Sequence, residues 1–167
     1  HDEAAIGRAC ETVSISLEYE NGIQQVYLNG SNVTDRLREE AVGNMASVSS
    51  AVREVRARLL DLQRNLAKEA DVIMDGRDIG TNILPNADVK IYLTASVKTR
   101  ADRRYKELTE KGISCSYEEI AEDIKKRDER DMSRETAPLK QAEDAILIDS
   151  SDMSIEEVVH AICRQCK

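Results

Sequence analysis

The chain has 167 residues and a net charge of −8, a length that fits one domain, or one domain with a small insert, around a core of ordinary size. Five Tyr with no Phe and no Trp leave that core to aliphatic side chains. The acidic balance argues against a protein that coats nucleic acid, whose binding rests on phosphate neutralisation, and no apolar run is long enough to span a bilayer.

Residues 1–11 read as the tail of a helix, with Ala5, Ile6 and Ala9 at helical spacing. The start is polar and charged, so it is no signal peptide. The lack of an initiator Met points to an upstream piece. Between 12 and 19, Val13, Ile15 and Leu17 alternate with Ser14, Ser16 and Glu18, a strand pattern. Asn21-Gly22 is a favoured tight-hairpin turn. Val26, Tyr27 and Leu28 return, and Asn29-Gly30 turns again, so 13–30 forms an antiparallel hairpin with room for a third strand. Asn32 or Thr34 caps the next helix, with Asp35 in its first turn. Gly43 breaks the pattern. An amphipathic stretch then runs over about 45–70, with Val48, Val52, Val55, Leu59 and Leu62 in steps of three and four. Ser47, Arg53 and Arg56 lie along or beside that stripe.

Residues 72–81, Val-Ile-Met-Asp-Gly-Arg-Asp-Ile-Gly-Thr, open as a short apolar run and read as a buried strand. In an open α/β sheet, ligands bind just past the carboxyl ends of the strands. A strand that stops on Arg77-Asp78 between Gly76 and Gly80 sets a cation and an anion at that rim. The glycines permit close backbone approach and unusual dihedrals. Arg77 suits a phosphate, and Asp78 accepts from an amine or hydroxyl. A tight turn closed by a local Arg-Asp pair explains the same ten residues, and they leave both readings open.

Pro85 and Asn86 make a turn, and Val89, Ile91 and Leu93 alternate in a strand over 87–94. Ser96 caps a helix over 97–110, which Gly112 ends. Ser116 caps a highly charged helix that runs to about 134, with Glu118 and Glu119 in its first turn, and Pro138 closes it off. Residues 145–149, Ala-Ile-Leu-Ile-Asp, form a further strand, and Ser154 caps a last helix over 155–166. Short apolar strands alternating with helices indicate a mainly parallel, helix-covered α/β sheet. Cys10, Cys115, Cys163 and Cys166 make neither a disulfide framework nor a paired zinc pattern; free thiols in a reducing cytoplasm fit them better. His1 and His160 are isolated and take no role.

The sharpest feature after Arg77-Asp78 is Lys-Arg-Asp-Glu-Arg-Asp-Met-Ser-Arg, 126–134. Helical geometry sets Arg127, Asp131 and Arg134 on one face. Two guanidiniums with a carboxylate between them suit a phosphorylated sugar. A solvated helix laced with ion pairs is the competing explanation, and charge runs usually mean that. Arg100 and Arg104, also four apart, are a weaker signal, because Glu107 is placed to pair with Arg103 or Arg104. Tyr92 and Tyr105 read as packing residues. No G-x-x-x-x-G-K-[ST] phosphate loop occurs in these residues.

In order along the chain stand Val-Gly-Asn-Met-Ala-Ser (42–47), Val-Arg-Ala-Arg-Leu-Leu-Asp-Leu-Gln-Arg (55–64), Met-Asp-Gly-Arg-Asp-Ile-Gly-Thr (74–81), Lys-Ile-Tyr-Leu-Thr-Ala-Ser (90–96), Arg-Asp-Glu-Arg-Asp-Met-Ser-Arg (127–134) and Ala-Pro-Leu (137–139). Together they resemble the bacterial cytidylate kinase family, from about Val13 to the C-terminus. The resemblance implies a three-layer, parallel-sheet nucleoside monophosphate kinase fold of the P-loop type with a small antiparallel β insert. It divides the chain into the end of an N-terminal helix (1–12), a CMP-binding and insert region (13–70), and a core α/β region (71–167) with a mobile lid at about 112–134. It implies transfer of the γ-phosphoryl of ATP, with Mg2+ bound largely through nucleotide phosphates, to CMP or dCMP, by a cytoplasmic monomer with no nucleic-acid or membrane partner. By matching motif, Ser47, Arg56 and Asp78 would read the cytosine edge, Arg77 and Arg134 would hold the CMP phosphate, and Arg127 and Asp131 would contact the sugar. Arg127 and Arg134 would also be the catalytic lid arginines. Arg100 and Arg104 fall where related kinases contact ATP. Such kinases begin with a strand, a phosphate loop and a helix that are not among these residues, so the chain by itself is expected to be inactive. The alternatives are a non-catalytic nucleotide-binding module and a related kinase for UMP or AMP.

Overall fold

Two Asn-Gly pairs set the register of the first sheet. In the computed structural model, which describes residues 2–166, Asn21 and Gly22 have φ of 53° and 78°, and Asn29 and Gly30 have 50° and 77°. Consecutive left-handed residues are what a two-residue turn needs to match strand twist. They join β1 (Ile15–Glu20) to β2 (Ile23–Leu28) and β2 to β3 (Ser31–Asn32), with Glu20 opposite Ile23 and Leu28 opposite Ser31. The hairpin and its third strand match the sequence pattern.

Ahead of this sheet, α1 (Glu3–Glu11) starts where the Asp2 side chain accepts from the Ala5 N–H; His1 lies outside the described residues. Gly7 is buried, and a Cβ there would stand 3.4 Å from Cβ of Glu54. That glycine lets α1 lie close against α3 (Arg53–Glu69).

The expected cap at Asn32 or Thr34 is used differently. Asn32 Oδ1 accepts from the Thr34 N–H, and Thr34 Oγ1 accepts from the Val26 N–H. Both side chains close the sheet onto a 3-10 turn, Thr34–Arg38. α2 (Glu40–Ser49) then runs through Gly43, contrary to the expected break there. A glycine costs a helix only about 1 kcal/mol. The break falls at 50–52, where the Ser50 hydroxyl donates to the Ser47 carbonyl, a local bond that competes with helix continuation. Val52 and Val55, from the apolar stripe, are buried.

Residues 72–74 are not the buried strand that their apolar run predicts. They have no strand geometry, and Ile73 is fully exposed. A strand exists through its ladder, and among the described residues no strand pairs with this segment. Apolar content alone does not separate a strand from other apolar runs.

Beyond Asp78 the backbone makes a π-helical turn, Ile79–Ile83, with the Asp78 carbonyl accepting from the N–H groups of Asn82 and Ile83. Single π turns of this kind are frequent at functional sites. Gly76 and Gly80 do not take positive φ, so their role is space rather than the expected unusual dihedral. A Cβ on Gly76 would stand 2.8 Å from Cγ1 of Ile79. Gly76→Ala is therefore expected to cost about 1–2 kcal/mol through overpacking; urea unfolding checks it, and an unchanged midpoint would count against the packing argument.

The second sheet pairs β4 (Ile91–Thr94) in parallel with β5 (Ile146–Asp149), Ile91 opposite Ile146 and Thr94 opposite Asp149. Parallel strands need a long crossover. Here it holds α4 (Val97–Glu110) and α5 (Tyr117–Ser133). Ser96 and Ser116 cap them as expected, and Gly112, at φ 69°, ends α4. The chain closes with α6 (Ile155–Cys163), started by a reciprocal Ser154–Glu157 capping box and three residues shorter than predicted. Ile83, Ala95, Ala101, Leu108, Ile148 and Ala161 form the aliphatic core of this half. The architecture is mixed α/β, and the chain divides into two compact units between Val72 and Ile73. No helix of the described residues is long and apolar enough to cross a membrane.

Candidate active site

The charged residues singled out on either side of β4 meet in the unit that begins at Ile73. Arg77 precedes the π turn and Asp131 lies in the last turn of α5, 54 positions later. Arg77 Nε donates to Asp131 Oδ2 at 3.0 Å. Arg134, the residue that ends α5, brings its guanidinium to 3.6 Å from Asp78. Arg127 Nε stands 4.0 Å from the same Asp131 oxygen. Five side chains from two short motifs thus form one cluster of three cations and two anions.

Both anions are buried. Asp78 and Asp131 are 6% and 3% exposed. A buried carboxylate is costly unless it is hydrogen-bonded and paired. Asp78 Oδ2 also accepts from Asn82 Nδ2 at 3.1 Å. Asn82 is on the π turn, so the turn that follows Arg77-Asp78 supplies a bond that orients the carboxylate.

The Arg side chains divide by exposure. The Arg134 side chain is buried, and its Nε donates to the Ala137 carbonyl at 2.7 Å. Ala137 has φ 48°, a left-handed conformation rare for a residue with a Cβ. The Asp131 carbonyl accepts from the Leu139 N–H. The Ala-Pro-Leu segment therefore folds back on the end of α5 and holds both residues by backbone bonds. Arg77 and Arg127 are more than 40% exposed. Among the described residues, Arg127 Nε itself is sealed from solvent without a hydrogen-bond partner. The arrangement provides one fixed guanidinium and two at the surface, a suitable set for a multiply charged oxyanion.

Of the two explanations that spacing left open for 126–134, the solvated ion-pair helix fits its outer positions, as in Lys126–Glu122. Its Arg127, Asp131 and Arg134 face joins the cluster. Ser47 and Arg56 belong to the other unit. Ser47 is buried at the end of α2, and Arg56 donates to the Ser50 carbonyl at 3.1 Å, closing the step between α2 and α3.

The two residues assigned to ATP have internal partners. Arg100 donates through Nε to the Ala95 carbonyl and grips Asp128 with both terminal nitrogens, at 2.9 and 2.6 Å. Arg104 pairs with Glu107 at 2.9 Å, as its spacing allowed. Lys111 donates to the same carboxylate, and the two bonds, Lys111 first, hold Glu107 at about 2 instead of 4.5. A depressed carboxylate pKa stabilises the fold above 4.5 and loses that contribution as pH falls from 4.5 towards 2. A carboxyl NMR titration should therefore find Glu107 ionised at pH 3.5, and a midpoint above 4 counts against the bridge. Tyr105 is a packing residue, edge-on to Tyr117 at 6.0 Å.

Sequence spacing did not expose Asp128, Asn82 or the Ala137 carbonyl. Asn82 stands four residues after Asp78, and that interval was its one available signal.

The family model described as Cytidylate kinase matches residues 1–167. The chain belongs to the cytidylate kinase family. It is 49% identical to a protein named cytidylate kinase from Caldicellulosiruptor bescii over 162 residues, covering 97% of this chain and 72% of that one. A cytidylate kinase from an Exiguobacterium species is 47% identical over 98% of this chain and 73% of its own. The Bacillus subtilis cytidylate kinase is 42% identical over 96% and 72%. Family membership gives the chain the nucleoside monophosphate kinase fold and makes it a nucleotide-binding transferase. The parallel pair β4–β5 and the small antiparallel sheet are the mixed α/β elements that the resemblance implied.

Proposed function

We propose that this protein phosphorylates CMP and dCMP with ATP, and that the cluster around Asp131 receives the acceptor. The observation that supports this most directly is the meeting of Arg77 and Asp78 with Arg127, Asp131 and Arg134 within one unit. Arg77 and Arg134 hold the acceptor phosphate. Arg127 and Asp131 take the sugar, the carboxylate accepting from its hydroxyls. Asp78 accepts from the exocyclic amine of cytosine. Discrimination between CMP and dCMP rests on the sugar contacts.

In the reaction, an oxygen of the acceptor phosphate bonds to the γ-phosphorus of ATP as the bond to the β,γ-bridging oxygen breaks, leaving CDP and ADP. There is no covalent enzyme intermediate. Such transfers depend on positioning and charge stabilisation. Arg127 and Arg134 neutralise charge as it spreads between the phosphates. Arg100 and Arg104 are candidates for the donor, each exchanging a carboxylate for a phosphate. Among the described residues, no group of three or more His, Cys, Asp or Glu side chains is placed to hold a metal ion. Mg2+ is assigned to the nucleotide phosphates, whose charge it would offset. The protein acts as a cytoplasmic monomer.

The test is calorimetry with CMP, dCMP, UMP and AMP on the intact source protein, followed by ATP turnover with each. CMP or dCMP should bind tightest and drive release of ADP. Tighter UMP or AMP binding would assign a sister kinase, and CMP binding without turnover would assign a non-catalytic module.

A further inference from the structure

The α4–α5 pair is clasped at two places. Near the connecting turn, Tyr105 meets Tyr117 edge to face. Eleven residues further along α5, about 16 Å at helical rise, Asp128 takes both terminal nitrogens of Arg100. Apolar packing between two helices is non-directional and fixes the roll of a helix about its axis only loosely. A planar two-point fork near the other end adds a directional constraint on that roll. The fork is also anchored below, because Arg100 Nε donates to the carbonyl of Ala95, next to the end of β4. A continuous line of hydrogen bonds thus runs from the sheet through Arg100 to α5.

Asp128 follows Arg127 directly and lies three positions before Asp131. At 100° per residue it flanks the face that carries Arg127, Asp131 and Arg134. We propose that Asp128 is a positioning residue whose fork on Arg100 sets the rotation of α5, and hence the direction in which Arg127, Asp131 and Arg134 meet Arg77 and Asp78. The hydrogen bonds that Arg100 donates to Asp128 are also the leading cause that raises the Arg100 pKa, ahead of the opposing effect of burial. The consequence for nucleotide binding rests on the acceptor-site assignment above; the effect on rotation does not.

Two measurements on the intact source protein separate them. In the first, the coupling between Arg77 and Asp131 is obtained by urea unfolding of Arg77→Gln, Asp131→Asn and the double variant, with Asp128 present and then with Asp128→Asn. The coupling should be lost in the Asp128→Asn background, and a coupling that persists unchanged overturns the proposal. In the second, CMP affinity is measured for Asp128→Asn, Arg100→Gln and both together. Each single change should weaken CMP about tenfold and the double no further, as for residues that act as one unit. Lys106→Gln, which removes an exposed pair on the outer side of α4, serves as the control and should leave binding within twofold. Affinity within twofold for Asp128→Asn, alongside a lowered melting temperature, reduces the fork to a structural tie and also overturns the proposal. Failure of the unsubstituted protein to bind CMP refutes the acceptor assignment alone, and the unfolding cycle still decides the role of Asp128.

Discussion

Asp131→Ala is expected to destabilise the protein by about 3 kcal/mol, the low end of what breaking a buried pair costs. Its carboxylate is almost fully buried and accepts from Arg77, with Arg127 close to the same oxygen. Truncation leaves these guanidiniums facing each other without the anion between them. Both retain some access to water, which places the cost at the lower end. Asp131→Asn keeps the volume and one acceptor oxygen for Arg77, so its cost should be nearer 1–2 kcal/mol. Urea unfolding of the two variants reads the difference. Calorimetry should also show that both bind CMP more weakly, because an amide accepts from sugar hydroxyls less strongly than a carboxylate. An Ala variant within 0.5 kcal/mol of the parent, taken as a rough limit for surface substitutions, would show that Asp131 is not the centre of the cluster.

How far the sequence reached depended on how local each signal was. The hairpin was legible because Asn21-Gly22 and Asn29-Gly30 each specify a turn within two residues. The caps at Ser96, Ser116 and Ser154 were legible for the same reason. The run at 72–74 was misread because being a strand depends on a neighbour, which its own residues do not encode. Gly43 was misread because a helix tolerates a glycine when its other residues favour the helix. At the site, Arg127, Asp131 and Arg134 could be placed on one face by counting. Their meeting with Arg77 depends on a crossover about fifty residues long, and only the motif order hinted at it. The Arg100–Asp128 fork was not legible: Arg100 drew notice only through its spacing to Arg104 and Asp128 only as part of a charge run, and their partnership appears only when α4 and α5 pack. The internal partners of Arg100 and Arg104 also change how their donor role must be tested, because each carries a carboxylate that a phosphate would have to displace.

Arg134→Lys is expected to lower CMP-dependent turnover on the order of 10²–10³-fold, the range for loss of one fixed donor at a developing charge. One guanidinium does several jobs here at once. Arg134 Nε is committed to the Ala137 carbonyl, and a terminal nitrogen faces Asp78 at 3.6 Å. The planar fork has further N–H groups in a fixed relation to those two. A lysine ammonium is a compact point charge and cannot span the same positions. If it stays with Asp78 it loses the Ala137 carbonyl, and the Ala-Pro-Leu segment is left tied to the end of α5 by the Leu139–Asp131 backbone bond without the Arg134 side chain. The substitution should therefore raise the KM for CMP and lower kcat together, while ATP affinity stays close to the parent value. Arg134→Gln removes the charge and should do at least as much damage to kcat. Because Arg134 is buried beside a buried carboxylate, melting temperature must be followed in parallel, and a drop that accounts for the whole loss at the assay temperature would point to unfolding instead. A Lys variant that keeps its turnover within threefold would remove Arg134 from the phosphate site and leave the cluster to Arg77 and Arg127.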